Sequence, residues 1–163
     1  MCHAFCIFAP MKKILFICLG NICRSPMAEA VMRELLRKKG LDDAYIVASA
    51  AVSDEEWNNP IYPPAARKLR ERGIPYDPVR TARKMTADDY NTYDLIIGMD
   101  ESNLNAIRRI AGGDPDDKIR LLMDYAGEHR SVADPWYTRD FDTAYNDILT
   151  GCTALCQQLL KTK

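Results

Sequence analysis

Apolar positions along this chain follow two rhythms. Ile14-Leu15-Phe16-Ile17 is an unbroken apolar run. A strand covered on both faces has this pattern, so Lys13 to Cys18 reads as a central strand of a parallel sheet. Beyond Ser25 the period changes. Met27, Val31 and Leu35 recur with Ala28, Met32 and Leu36 beside them, the apolar face of a helix over Pro26 to Lys39. Gly40 stands just past its end as a cap. Tyr45 to Ala50 is a second strand, followed by an acidic stretch, Asp54-Glu55-Glu56, and a proline-rich loop, Pro60 to Pro64. Ala65 to Arg72 is a helix closed by Gly73, and Thr86-Ala87-Asp88-Asp89 opens a short helix with Asp where a capping box has Glu. Asp94 to Met99, centred on Leu95-Ile96-Ile97, is a third buried strand. A helix over Asp100 to Ile110 turns Leu104 and Ile107 inward. Ile119 to Met123 is the fourth strand, Asp124 to Thr138 a loop, and Asp140 to Lys161 the last helix. On that helix Tyr145, Ile148, Cys152, Leu155 and Leu159 recur at helical spacing.

Strands alternating with helices build βαβ units. The fold expected is α/β: a three-layer, doubly wound, four-stranded parallel sheet with helices on both faces. A length of 163 residues suits one domain, and no internal repeat or linker divides it. The domain is expected over residues 12–163, with residues 1–11 a poorly ordered N-terminal extension. Met1 to Pro10 is apolar but lacks a basic n-region and a long h-region, so it does not read as a signal peptide. In a fold of this kind ligands bind beyond the C-terminal ends of the strands, where Cys18 falls.

Composition narrows the partners. Apolar residues make up 47% and charged residues 28%, the net charge is −1, and no apolar run approaches the roughly 20 residues of a membrane span. Neither nucleic acid nor a membrane is expected as a partner. The six cysteines are Cys2, Cys6, Cys18, Cys23, Cys152 and Cys156, with none in the middle of the chain. That distribution argues against a disulfide framework and for a reducing, cytoplasmic setting. Cys152 and Cys156, at i and i+4 on an apolar helix face, read as core.

The chemistry is concentrated in Cys18-Leu19-Gly20-Asn21-Ile22-Cys23-Arg24-Ser25-Pro26. A strand, a tight loop and a helix N-terminus converge several backbone N–H groups on one point, and the helix dipole adds partial positive charge there. Gly20 and Asn21 tolerate φ > 0, and Ser25-Pro26 suits a helix start. The site is built for an anion, most naturally phosphate. Cys18 is placed to attack it, and Arg24 to grip its oxygens in a fork. Loop N–H groups, Arg24 and the Ser25 hydroxyl all favour a Cys18 thiolate.

This loop resembles, almost residue for residue, that of the low-molecular-weight protein tyrosine phosphatases, and the resemblance runs from about Lys13 to the last helix. It implies hydrolysis of phosphotyrosine proteins or small aryl phosphates through a phosphocysteine on Cys18, with no cofactor and no metal. Asp134, in Asp134-Pro135-Trp136-Tyr137, matches the family's general-acid loop; alone, an Asp-Pro pair would read as a turn. The resemblance makes Trp57, Trp136 and Tyr137 the substrate rim and Cys23 a redox partner that protects Cys18 as a disulfide. Ser49, Asp100 and Asn103, the last two within the family's M-D-x-x-N segment, brace the loop. Family members resembling protein-arginine phosphatases carry Thr at the position of Ile22; a branched apolar side chain there favours a phenyl ring. A monomer or weak self-association is expected.

Two departures from the family stand out. Arg80-Thr81-Ala82-Arg83-Lys84 has Arg80 where relatives commonly have a loop-bracing His, and Asn58-Asn59-Pro60 follows Trp57 where relatives often have Gly. Rival readings fit less well. An arsenate reductase needs a mid-chain cysteine pair, absent between Arg24 and Gly151. A phosphocarrier would not need Arg24 or an acid such as Asp134, and a phosphotyrosine-binding module would not need both nucleophile and acid.

Overall fold

The computed structural model describes residues 11–161. The expected extension lies outside the described residues except for Met11. Four strands, β1 (Lys12–Cys18), β2 (Tyr45–Ala51), β3 (Leu95–Gly98) and β4 (Ile119–Leu121), form one sheet in the order β2-β1-β3-β4, every pair parallel. The helices are α1 (Arg24–Lys38), α2 (Pro63–Glu71), α3 (Ala87–Thr92), α4 (Glu101–Ala111), a single turn α5 (Pro135–Thr138) and α6 (Phe141–Lys161).

Alternate side chains of β1 serve different cores, which explains its unbroken apolar run. Ile14 and Phe16 pack with Met27, Val31, Leu69, Ile148 and Leu155 beneath α1, α2 and α6. Leu15 and Ile17 pack with Tyr90, Ile96, Leu104 and Ile107 beneath α3 and α4. The sheet is therefore covered on both faces, as expected. Because β2 lies on one side of β1 and β3 on the other, the chain reverses its winding direction at β1, and a crevice opens beyond the C-terminal ends of β1 and β3. No helix among the described residues is long and apolar enough to cross a membrane.

The fourth strand is shorter than its apolar pattern suggests. It ends at Leu121, and Leu122–Ala126 coils into a 3-10 turn. Strand alternation would send Leu122 and Met123 to opposite faces, yet both are fully buried in the α1–α6 core while Ile119 and Leu121 serve the other one. Only a turn can put both consecutive side chains on the same side. The expected loop over Asp124–Thr138 likewise holds this turn and α5.

Leu122 also explains a glycine inside α6. A Cβ on Gly151 would stand 2.6 Å from Leu122 Cγ. Overpacking of this kind costs about 1–3 kcal/mol, against a helix-propensity gain near 1 kcal/mol. Gly151→Ala is therefore expected to lower Tm by several degrees, at roughly 2–4 °C per kcal/mol. A scanning-calorimetry Tm equal to or above the wild-type value would contradict this packing.

Candidate active site

The loop closing β1 onto α1 is shaped by one unusual backbone position. Asn21 has φ 59°, in the left-handed region, and is fully buried. Its side chain satisfies itself completely, which offsets the conformational cost. The amide group donates to Ser25 Oγ at 2.8 Å and Ser49 Oγ at 2.9 Å, while Oδ1 accepts from the Arg83 backbone N–H and from Arg80. Gly20, expected to supply positive φ, is used differently: a Cβ there would lie 3.1 Å from Glu56 Cγ, so the glycine lets the acidic stretch close over the loop. The helix starts at Arg24, two residues earlier than expected, and Pro26 falls in the first turn, where a missing N–H is harmless.

Cys18 ends β1 with its sulfur in this cradle. Asn21 N–H donates to Sγ at 3.2 Å, and Ser25 Oγ lies 3.0 Å away. Ser49 links the cradle to α1, donating to Glu29 Oε1 at 3.0 Å. Glu29 has a single signal in the sequence, its i,i+4 relation to Ser25, which puts both on one helix face.

Arg24 is almost wholly buried and is held from two elements. Its Nη1 meets Asp100 Oδ2 at 3.0 Å and donates to the Val132 carbonyl at 3.2 Å, and Nη2 meets Asp134 Oδ2 at 3.2 Å. Asp100 is able to do this because it caps α4. Its Oδ1 accepts Asn103 N–H at 2.8 Å, and Asn103 Oδ1 accepts the Met99 and Asp100 N–H groups in return. The M-D-x-x-N segment is thus a capping box that leaves one carboxylate oxygen for Arg24.

Asp134 arrives from the far end of the chain. It caps α5, its Oδ1 accepting Trp136 N–H at 3.1 Å, with Pro135 in the first position of the turn. Cys18, Leu19, Gly20, Ile22, Cys23, Arg24, Asp134, Trp136 and Tyr137 share one cleft of about 150 Å³. Its remaining wall is Glu55 and Glu56, whose acidic run in the sequence carries no sign of this role. Trp57, expected at the rim with Trp136 and Tyr137, is 65% exposed and does not line this cleft. Trp136 packs on Tyr62, with ring centroids 5.1 Å apart, and under Arg139. Cys23 is buried beside Ile22 and Ala82. Burial, then the charges of Cys18 and Asp134, push its thiol up to about 12, so it is neutral at physiological pH. Arg80 braces the loop in its own fashion, donating to both oxygens of Asn21.

A backbone amide on a sulfur, with a guanidinium and a carboxyl group on the same cleft, suits the handling of a phosphoryl group. Known proteins agree. Residues 13–163 match the family described as low molecular weight phosphotyrosine protein phosphatase. The chain is 39% identical to the low molecular weight protein-tyrosine-phosphatase YfkJ of Bacillus subtilis, across 94% of this chain and 99% of that one. The crystal structure of YfkJ superposes with a TM-score of 0.91, covering 96% and 99% of the two chains. That of a low molecular weight protein tyrosine phosphatase from Streptococcus pyogenes, 40% identical, gives 0.83 and covers 91% and 93%. A Drosophila arginine phosphatase, 31% identical over 90% of this chain and 97% of its own, gives 0.82. On its loop, its fold and these likenesses, the chain belongs to the low molecular weight phosphotyrosine protein phosphatase family.

Proposed function

We propose that this chain hydrolyses phosphotyrosine and small aryl phosphates through a phosphocysteine on Cys18. The observation that carries the reading is the shared cleft: Cys18 Sγ facing the Asn21 N–H at 3.2 Å, with Arg24 and Asp134 paired at 3.2 Å on the same cavity. In the first step the Cys18 sulfur forms a bond to phosphorus as the bond to the tyrosyl oxygen breaks, and protonated Asp134 gives its proton to that oxygen. In the second, ionised Asp134 takes a proton from water as the water oxygen attacks phosphorus. The P–S bond breaks, and inorganic phosphate and the Cys18 thiolate are released. The loop amides and Arg24 stabilise charge on the transferring phosphoryl group throughout. Arg24 has five donors. With Nη1 held by Asp100 and Val132, Nε and Nη2 are free to turn to two phosphoryl oxygens once the dianion competes with Asp134.

Ile22, Trp136 and Tyr137 on the cleft wall suit a phenyl ring, and Trp57 stands further out, where it would meet a protein substrate. Ser49, Asp100 and Asn103 act by holding Asn21 and Arg24. Cys23 has a redox role on this reading. A peroxide oxidises the Cys18 thiolate to a sulfenic acid, and the Cys23 sulfur then displaces water to form a disulfide, with two hydrogens lost overall.

The test is hydrolysis of matched phosphotyrosine, phosphoserine and phosphoarginine peptides in the presence of EDTA. Preference for phosphotyrosine, with phosphate release undiminished by the chelator, is the expected result. A phosphoarginine preference would overturn the substrate class, and a need for divalent cations would overturn the mechanism.

A further inference from the structure

Arg80 sits on the segment between α2 and α3, yet its guanidinium grips the phosphate loop at one residue. Nη1 donates to the Asn21 carbonyl at 2.9 Å and Nη2 to Asn21 Oδ1 at 2.5 Å. One rigid fork thereby fixes both the peptide plane that follows Asn21 and the rotamer of its carboxamide. Asn21 is the residue with the left-handed backbone, and its own N–H points at Cys18 Sγ. Ser25 Oγ, Ser49 Oγ and the Arg83 N–H also hold the Asn21 carboxamide, but among the described side chains Arg80 alone is bonded to the Asn21 carbonyl as well. The second lone pair of Oδ1 is taken by Arg83 N–H, while the Arg83 guanidinium is turned away to Asp89.

We propose that Arg80 is a positioning residue for the nucleophile: its two-point grip on Asn21 holds the Asn21 N–H on the Cys18 sulfur, and its permanent charge adds to the positive field of the cradle. The proposal rests on the phosphatase reading above. An imidazole in this place would donate one hydrogen bond when neutral and would titrate within the working range. A guanidinium stays charged, so the brace is independent of pH. The charged groups around it are Glu29, Cys18 itself and Asp77. Arg24 with Asp100 and Asp134, and Glu56 over Gly20, complete the surroundings of the sulfur. Burial lowers the guanidinium pKa, and Glu29 and Cys18 oppose that shift.

The full-length chain carrying Arg80→Gln, Arg80→Lys or Arg80→His tests this by three measurements: the pH profile of iodoacetate inactivation, kcat and KM for p-nitrophenyl phosphate, and Tm. Arg80→Gln is expected to move the inactivation midpoint to higher pH, slowing the reaction about 3- to 10-fold on the acid side of the wild-type midpoint, because a neighbouring positive charge favours a thiolate. It should also lower kcat by about 10-fold with KM little changed. Arg80→Lys keeps the charge without the fork, so it restores the midpoint but not kcat. Arg80→His should add a second ionisation to the profile. An Arg80→Gln protein with lower Tm but wild-type kcat and an unmoved profile would reduce Arg80 to a structural role and overturn the proposal. Should that variant not fold, an Arg80→Lys protein with wild-type kcat overturns the two-point grip, and one with reduced kcat and an unmoved midpoint supports it. A wild-type protein that hydrolyses no aryl phosphate would defeat the phosphatase reading instead, while the inactivation profiles still decide the brace.

Discussion

Cys18→Ser is expected to abolish hydrolysis of p-nitrophenyl phosphate, a loss of about 10⁴-fold or more. The space is nearly the same, and the Asn21 N–H can donate to a hydroxyl as it does to sulfur. A serine hydroxyl in this cradle has no histidine beside it to take its proton. His129, the one histidine among the described residues, sits at the surface against Asp124 and Glu101. The variant should therefore fold with a Tm near that of the wild type and still bind the phosphate group it cannot attack. It would then capture phosphotyrosine proteins in a pull-down, competed by inorganic phosphate. Retained turnover in this variant would remove the phosphocysteine from the mechanism.

Asp134→Ala and Asp134→Asn separate the acid from the loop that carries it. Alanine removes the proton donor, the contact to Arg24 and the cap on α5 together; loss of a cap alone costs about 1 kcal/mol. Asparagine keeps an oxygen for the Trp136 N–H and loses only the ionisable group. Both are expected to lower kcat by about 10²–10⁴-fold for phenyl phosphate, whose leaving oxygen needs a proton. The loss should shrink for activated aryl esters with more acidic phenols. KM should not rise, because Arg24 loses a competing carboxylate. A loss of equal size across a series of leaving groups would show that Asp134 acts by shaping the loop, and would end its role as general acid.

Local patterns in the chain were enough for much of this. The unbroken run of β1, the helical rows of α1 and α6, and the glycines after α1 and α2 report on near neighbours, because strand and helix periodicity are set by interactions a few residues apart. Cys18, Arg24 and the loop between them were legible for the same reason: a strand, a turn and a helix start within nine residues of each other. The M-D-x-x-N segment was legible as a pattern, though its meaning was hidden. Only the folded chain turns the spare oxygen of a helix cap toward Arg24.

Contacts between distant segments had no local trace. Arg80 reaches Asn21 across 59 positions, and Asp134 reaches Arg24 across 110. An arginine has the same appearance in a sequence whether it grips a loop or points into water, and a carboxylate the same whether it caps a turn or lines a cleft. Whether Trp57 or Glu55 and Glu56 form the wall depends on how one turn lies over Gly20. The chain thus declares Cys18, the tight loop that follows it and its layered sheet by short-range chemistry. The meeting of acid, guanidinium and sulfur in one cleft, and the guanidinium that braces it, depends on the sheet order β2-β1-β3-β4, which brings loops from opposite ends of the chain to the same edge.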